Sequence, residues 1–432
     1  MKKLFIISYS FPPSNAPAAQ RPYTIAKYLG REGYNVSVLS CSNQDSSLGL
    51  EENKIIIKDF KLYKVPGLSV KIFRKIKSSG IVDKNGSLKS KSSGFKLSAS
   101  KLLFPDKAIT WLPGALLWSI FHKEKFLNGT VLTTSPLYSN HLIGLILKKI
   151  YNVKWIVDVR DFHYLNNLDK GDHSIISRLQ KWLENTVIKN ADIVTFSSES
   201  MKENYSAGYP LYKNKFNVIY NGFDPEEFNF TSQNSFETLP VKIFYSGSFY
   251  KGIRSPLPLI FSLQQLINNN DIKPDDIKIE IAGNFEKELL QEISDYSVST
   301  RIKFLGKLPR SRVLELMQKA HLLWLIVGKD VNHSAGIPLK AFEYIGAGRP
   351  IICFAPAGTE TTKMVERLNA GWILSNQKEK FNKNTETLRK IFKSRLYLQK
   401  INGYSLALEE YNRKNQALKF GELLRNDKFI SK

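Results

Sequence analysis

Short apolar runs alternate with amphipathic stretches along most of this chain. Residues 3–9 are largely apolar and too few for a helix, and a loop rich in Pro, Ser, Asn and Ala follows at residues 12–19, so they read as a buried strand. A helical period covers residues 21–32 and closes at Gly33, and Val36-Ser37-Val38-Leu39 forms the next strand. Strand, helix and strand within about forty residues make a βαβ unit and predict a parallel sheet. The alternation predicts strands at 131–134, 155–159, 191–196 and 217–220, with helices at 138–151 and 175–190. Residues 43–110 fit neither period. After the turn Asn221-Gly222-Phe223-Asp224, the polar run 225–239 has no apolar period and reads as a linker. The alternation then restarts, with strands predicted at 241–245, 277–281, 302–305, 322–326, 351–354 and 371–374. Helices are predicted at 257–268 and 311–319, and a charged helical tail at 388–424.

This order predicts an α/β fold of two Rossmann-like, doubly wound domains facing a cleft, with ligands at the carboxyl ends of the strands. The expected division is an N-terminal domain over 1–225, a linker over 226–239, a second domain over 240–408 and a C-terminal helix, 409–432, returning to the first domain. The stretch 335–350 stands out within the second half. It predicts a helix starting near Gly336 with Pro338 in its first turn, ended by positive φ at Gly346 and Gly348 and stopped by Pro350. Free N–H groups and the positive dipole end there would seat a phosphate. Lys340 falls in that first turn, and the Glu343 carboxylate follows one turn later, placed to accept hydroxyl protons. A capped turn with a surface Lys–Glu pair fits the same spacing.

Composition narrows the setting. No apolar run in the 432 residues reaches the ~20 needed to span a bilayer. The first residues imitate a signal peptide, but the apolar core is short and no small-residue cleavage site follows. Cys41 and Cys353 sit in strand-like runs and suggest no disulfide framework, which fits a reducing cytoplasm. The net charge of +24 favours anionic partners: phosphates, nucleic acid or an anionic membrane leaflet. Residues 51–125 hold sixteen Lys or Arg against six Asp or Glu, interleaved with apolar side chains. That pattern suits a membrane-docking segment. It is the basis for expecting a cytoplasmic protein peripheral on the inner face of the plasma membrane. No nucleic-acid recognition module is present to use the charge otherwise.

Seven short motifs occur in a telling order: Phe11-Pro12-Pro13 with Arg21 downstream, Thr134-Ser135-Pro136, Asp158-Val159-Arg160-Asp161, 192–199, 218–224, Tyr245-Ser246-Gly247 and 336–350. Together they resemble glycosyltransferase family 4, the retaining GT-B sugar-nucleotide enzymes. The wording Pro338-x-Lys340-x-x-Glu343-Tyr344 is similar to the subgroup that builds bacterial surface polysaccharides. The resemblance implies a hexosyl- or N-acetylhexosaminyl-transferase. It would use a UDP- or other NDP-sugar and a glycan or undecaprenyl-linked oligosaccharide acceptor. It also implies that Glu343 binds the ribose, that Arg254 and Lys340 neutralise the donor diphosphate, and that Gly247 and Gly336, with Ile337, let the backbone approach it.

Two departures accompany the resemblance. Ala335 stands where many members carry a Glu that contacts the donor sugar, which makes His333 and Ser334 candidate substitutes. The residues Asn15-Ala16-Pro17-Ala18 replace a common glycine pair. Asp161, past a strand end, is the leading acceptor-side carboxylate, able to orient or deprotonate a hydroxyl. A structural ion pair of Arg160 with Asp161 or Asp158 competes with that reading. His163, Pro13, Arg21 and Ser135 complete the acceptor-side candidates, and Glu360 is expected to cap the next helix beside the donor. No Asp-x-Asp or Cys/His cluster occurs, so no metal and no cofactor beyond the donor is expected. Because of Ala335, a non-catalytic nucleotide-sugar-binding or scaffolding subunit of an assembly complex is the alternative.

Overall fold

The computed structural model describes residues 2–14, 16–43, 57–68, 103–163, 174–228, 239–249, 254–283, 287–328 and 334–425. The chain forms two compact units. The first contains Met1–Thr195, Leu211–Asn217 and Gly421–Lys432, and the second Phe196–Pro210 and Val218–Phe420. Most of the expected linker, 229–238, and much of the basic segment 51–125 lie outside the described residues.

The first unit is built on seven strands: β1 (Lys3–Ile7), β2 (Asn35–Cys41), β3 (Lys61–Val65), β4 (Thr130–Thr134), β5 (Lys154–Val159), β6 (Ile193–Phe196) and β7 (Phe216–Val218). Their order is β3-β2-β1-β4-β5-β6-β7, and β1 pairs parallel with both β2 and β4. Chain direction across the sheet therefore reverses between β1 and β4, the switch point at which such sheets bind ligands. Helices α1 (Pro17–Arg31), α2 (Leu112–Phe121), α3 (Ser139–Tyr151) and α4 (Ile175–Asn190) accompany it, and α5 (Glu199–Gly208) falls in the second unit. Helix α1 starts four residues before the predicted position, because Pro17 at its first turn needs no N–H partner. Strand β3 escaped the period analysis: it is an edge strand with a largely solvated KLYKV pattern.

Six strands form the second sheet: β8 (Val241–Ser246), β9 (Ile277–Ala282), β10 (Ile302–Gly306), β11 (Leu322–Ile326), β12 (Ile351–Phe354) and β13 (Gly371–Leu374). They run parallel in the order β10-β9-β8-β11-β12-β13, with a switch point between β8 and β11. The two-residue period of the strands feeds a core on each face. Phe244, Leu323, Leu325 and Cys353 enter one core, and Ile243, Tyr245, Trp324 and Ile352 the other.

The helices of this half are α6 (Leu257–Asn268), α7 (Lys287–Ser294), α8 (Arg310–Lys319), α9 (Leu339–Gly346), α10 (Glu360–Arg367), α11 (Phe381–Lys393), α12 (Tyr404–Glu410) and α13 (Arg413–Arg425). The predicted tail helix is thus broken into three. The division between the units falls inside α13, whose last carbonyls take cations as a helix C-terminus favours. Lys2 Nζ donates to Leu424 O at 2.9 Å and Lys154 Nζ to Leu423 O at 2.9 Å. Among the described residues no helix is long and apolar enough to cross a membrane.

Candidate active site

The switch point of the second sheet carries the expected donor residues. Strand β8 ends at Ser246, and Gly247 follows with φ +130°, a conformation that favours glycine. Its N–H donates to Ala282 O at 2.8 Å at the end of β9. Gly283, at φ +145°, is needed as well, since a Cβ there would lie 2.0 Å from Gly247 O. Lys340, in the first turn of α9, reaches over this corner. Its Nζ donates to Ser246 O at 3.1 Å and lies 4.2 Å from the Tyr245 ring centroid. It also comes within 3.0 Å of where a Cβ on residue 247 would stand. Burial and the neighbouring Arg254 cation hold the Lys340 ammonium well below the usual lysine range, against weaker support from Glu343. Among the described residues no carboxylate forms an ion pair with Lys340.

Two expectations for this stretch are corrected. Helix α9 begins at Leu339 rather than near Gly336, with Pro338 as its extended N-cap. Lys340 stays in the first turn. Positive φ belongs to Gly348 alone, at +69°. Gly346 is helical and is required for another reason: Phe223 and Phe228 pack within 2.9 Å of where its Cβ would be.

Tyr344 fixes the helix against the strands. Its hydroxyl accepts from Ser246 N at 3.0 Å and donates to Trp324 O at 3.2 Å, tying α9 to both switch-point strands. The sequence motif contains this tyrosine but assigns it no role. Glu343 is 7% exposed and accepts from Arg310 Nη1 through Oε1. Its Oε2 has no hydrogen bond among the described residues.

Arg310 also forks onto Glu227, Nε at 3.1 Å and Nη2 at 2.8 Å, and Arg413 Nη1 reaches Glu227 at 3.5 Å. A cation in the first turn of α8 opposes the helix dipole, so the two carboxylates must hold it there. Burial alone would lower the Arg310 guanidinium, but Glu343 and Glu227 outweigh it and raise it above the ordinary arginine value. Burial likewise works against ionised Glu227, which Arg310 and Arg413 nevertheless keep low. Nothing local in the sequence announces this network, because Arg310 lies 83 residues from Glu227 and 33 from Glu343.

Around the same helix, Ala335 is buried and its carbonyl accepts from Ser198 Oγ at 2.5 Å. Ile337 is buried, while Ser334 and Gly336 are half-buried. His333 lies outside the described residues. Thr359, not Glu360, caps α10: its Oγ1 accepts from Thr362 N at 3.2 Å. Glu360 takes the first helical position, is 6% exposed and accepts from Ser200 Oγ at 2.6 Å and Lys363 Nζ at 3.1 Å. A separate cavity of about 480 Å³ opens past β12 and β13, lined by Pro356, Asn376, Lys380 and Asn384 among others, and none of the donor candidates reaches it.

In the first unit, the switch point is occupied by a closed charge pair. Asp158 is fully buried and accepts from Arg21 Nε at 2.9 Å and Nη2 at 2.8 Å, Thr134 Oγ1 at 2.7 Å and Thr195 Oγ1 at 2.8 Å. Burial would raise this carboxyl, but Arg21 and Arg160 bring it below its usual value. Arg21 is therefore committed to Asp158, and Arg160 Nη1 bonds Ala18 O at 3.0 Å. The Ser135 hydroxyl accepts from Arg160 N at 2.7 Å, and Pro13 sits half-buried in the turn after β1. Asp161 lies exposed beyond β5.

Next to this pair stand two neutral histidines. The His163 ring lies tilted against Tyr138 with 3.9 Å between centroids, and burial lowers it to about 4. Among the described residues its Nδ1 finds no hydrogen-bond partner. His141, lowered by burial to about 3, shares Thr133 Oγ1 with Trp155 Nε1, at 2.8 Å and 2.9 Å. Neither the hub role of Asp158 nor His141 was anticipated from the sequence.

Residues 99–227 match the family described as Glycosyltransferase Family 4, and residues 239–402 the one described as Glycosyl transferases group 1. A D-inositol 3-phosphate glycosyltransferase from Corynebacterium urealyticum is 21% identical over 262 residues. That match spans 57% of this chain and 57% of the relative, little more than half of its length. Sucrose-phosphate synthase from Thermosynechococcus elongatus superposes with a TM-score of 0.66 at 15% identity over 100% of both chains. HepE from Anabaena, solved in complex with UDP-glucose, gives 0.62 at 14% identity over 98% of this chain and 100% of that one. WaaG, a glycosyltransferase involved in lipopolysaccharide biosynthesis, gives 0.60 at 12% identity over 98% and 100%. At these identities the structural likeness concerns the fold.

Proposed function

Because the chain belongs to glycosyltransferase family 4, with the GT-B fold, we propose that it moves a sugar from a nucleotide-sugar donor to an acceptor hydroxyl. The observation that carries this reading is Lys340, a cation without a carboxylate partner among the described residues, held over the glycine corner at Ser246 and Gly247. In the reaction the bond from sugar C1 to the diphosphate oxygen breaks, a bond from the acceptor oxygen to C1 forms, and the acceptor loses its proton. Lys340 and Arg254 offset the charge left on the departing diphosphate, the part a metal would otherwise play. Glu343 Oε2 accepts from the ribose hydroxyls while Arg310 keeps Oε1. We place Asp161 on the acceptor side, with neutral His163 as the second group able to accept a proton there.

A UDP-sugar is the first donor to try, since HepE was solved with UDP and with UDP-glucose. The proposed chemistry retains configuration and transfers a hexosyl or N-acetylhexosaminyl group. The proposed acceptor is a glycan or lipid-linked oligosaccharide in cell-surface polysaccharide synthesis at the cytoplasmic membrane face. A thermal-shift screen of nucleoside diphosphates and their sugars tests the donor half. Stabilisation by one base family, lost in Lys340→Ala, is expected, and stabilisation by none would overturn the reading. The Ala335 departure favours one rival, a non-catalytic binding subunit. Such a subunit would bind the donor yet show no turnover that Glu343→Ala could remove.

A further inference from the structure

Helix α4 carries apolar side chains on two sides. Ser177, Leu183, Glu184, Val187 and Ile188 turn inward and are buried. On the other side Ile175 is 75% exposed, Ile176 51%, Leu179 43% and Trp182 62%. At about 100° per residue, Ile175, Leu179 and Trp182 fall within roughly 60° of arc, opposite the buried Glu184. Single exposed apolar side chains need no explanation, but four in two turns form a continuous patch. Exposed Arg178 and Lys181 flank it, and the one acid of the helix, Glu184, is buried.

We propose that this stripe of α4 docks on an anionic membrane surface, with the apolar side chains in the headgroup boundary and the two cations on lipid phosphates. A second copy of the chain is the weaker occupant, since a two-fold contact between identical stripes would bring Arg178 and Lys181 of both copies together. An anionic bilayer complements them, as it does the net charge of +24. A tryptophan among isoleucines and leucine, beside cations, is the composition of an interfacial helix.

The position is apt. Helix α4 ends at Asn190, with two residues between it and the start of β6, so its C-terminus is at the amino edge of the sheet. Sixteen residues span about 24 Å, which carries the stripe at its N-terminal end to the carboxyl edge, where Ser135, Asp158 and His163 lie. The purpose of such docking, presenting a lipid-linked acceptor to that edge, rests on the function proposed above, although its test does not. The basic segment 51–125, to which composition pointed first, has its residues 69–102 outside the described set.

The test is co-sedimentation with vesicles of phosphatidylglycerol and phosphatidylcholine, with phosphatidylcholine alone as control. Binding to the anionic vesicles is expected, with a blue shift in emission that Trp182→Phe removes. The triple variant Ile175→Ser, Leu179→Ser, Trp182→Ser should lower partition by about tenfold or more. Arg178→Glu with Lys181→Glu should do so most at low salt. These substitutions are on the surface, and an unchanged thermal melt shows that the variants are folded. Wild-type partition in the triple variant would overturn the proposal. So would a dimer in sedimentation velocity that the triple variant dissolves while no vesicles bind. Vesicle binding without any nucleotide-induced thermal shift would sink the proposed function and leave the docking intact.

Discussion

The two sheets share a strand order at their centres, β3-β2-β1-β4-β5 in one and β10-β9-β8-β11-β12 in the other, yet they use their switch points differently. In the first unit the corner is sealed by Arg21 and Asp158, with Thr134 and Thr195 completing the carboxylate. In the second, Lys340 bonds a carbonyl and lies over a ring face with no ion-pair partner among the described residues, while the nearby Arg310 is the paired cation. A buried charge that is fully compensated holds a structure together. One that is held in place without a counter-ion is poised for an anionic ligand. The same topology thus holds a closed charge pair in one half and the proposed donor seat in the other.

Breaking the closed pair should have the largest effect. Asp158→Asn leaves the Arg21 guanidinium buried against a neutral group and should cost about 3–5 kcal/mol of stability in a urea melt. A loss below about 1 kcal/mol would mean that the corner is solvated and the contrast false. Arg310→Ala sharpens the other side. It leaves Glu343 without its cation and Glu227 with Arg413 alone, and should cost about 2–3 kcal/mol. Donor KM should rise about tenfold, with kcat within a few-fold and partial recovery in Arg310→Lys. An equal fall of kcat and kcat/KM with unchanged stability would instead put Arg310 on the reacting atoms.

The smallest effect is in pH. His141 is lowered to about 3 in the fold against about 6.5 unfolded. Between those values the unfolded chain binds the extra proton, so stability falls with acidification by up to about 1.4 kcal/mol per pH unit. His141→Asn should about halve the slope in melts at pH 6.5 and 5.5, since His163, lowered to about 4, supplies the rest, and an unaltered slope would place the titration elsewhere.

Much of the fold was legible because central parallel strands are short apolar runs, and α4, α6, β11, β12 and β13 fall where the period put them. Strand β3 was not, since an edge strand solvated on one side loses the apolar run. Helix α2 was missed as well: LPGALLWSIF is apolar all round and has no helical period to detect. In the site, Gly247, Lys340, Glu343 and their order were visible as a motif. Arg310, the Tyr344 bridge and the Arg21–Asp158 pair were not, because each joins residues separated by 20 to 137 positions. Local spacing carries the motif groups, and long-range pairing carries those that hold them.

The measurement that bears most directly on the second switch point is isothermal titration of UDP into the wild-type chain and into Lys340→Met. Loss of one charge-assisted contact to a diphosphate should weaken binding by about a hundredfold. Because Lys340 is held below the usual lysine range, wild-type affinity should also fall as pH rises, when the ammonium loses its proton. Lys340→Met should not show that dependence. Equal affinity for the two proteins, with the same pH profile, would contradict the assignment of this corner to the donor diphosphate.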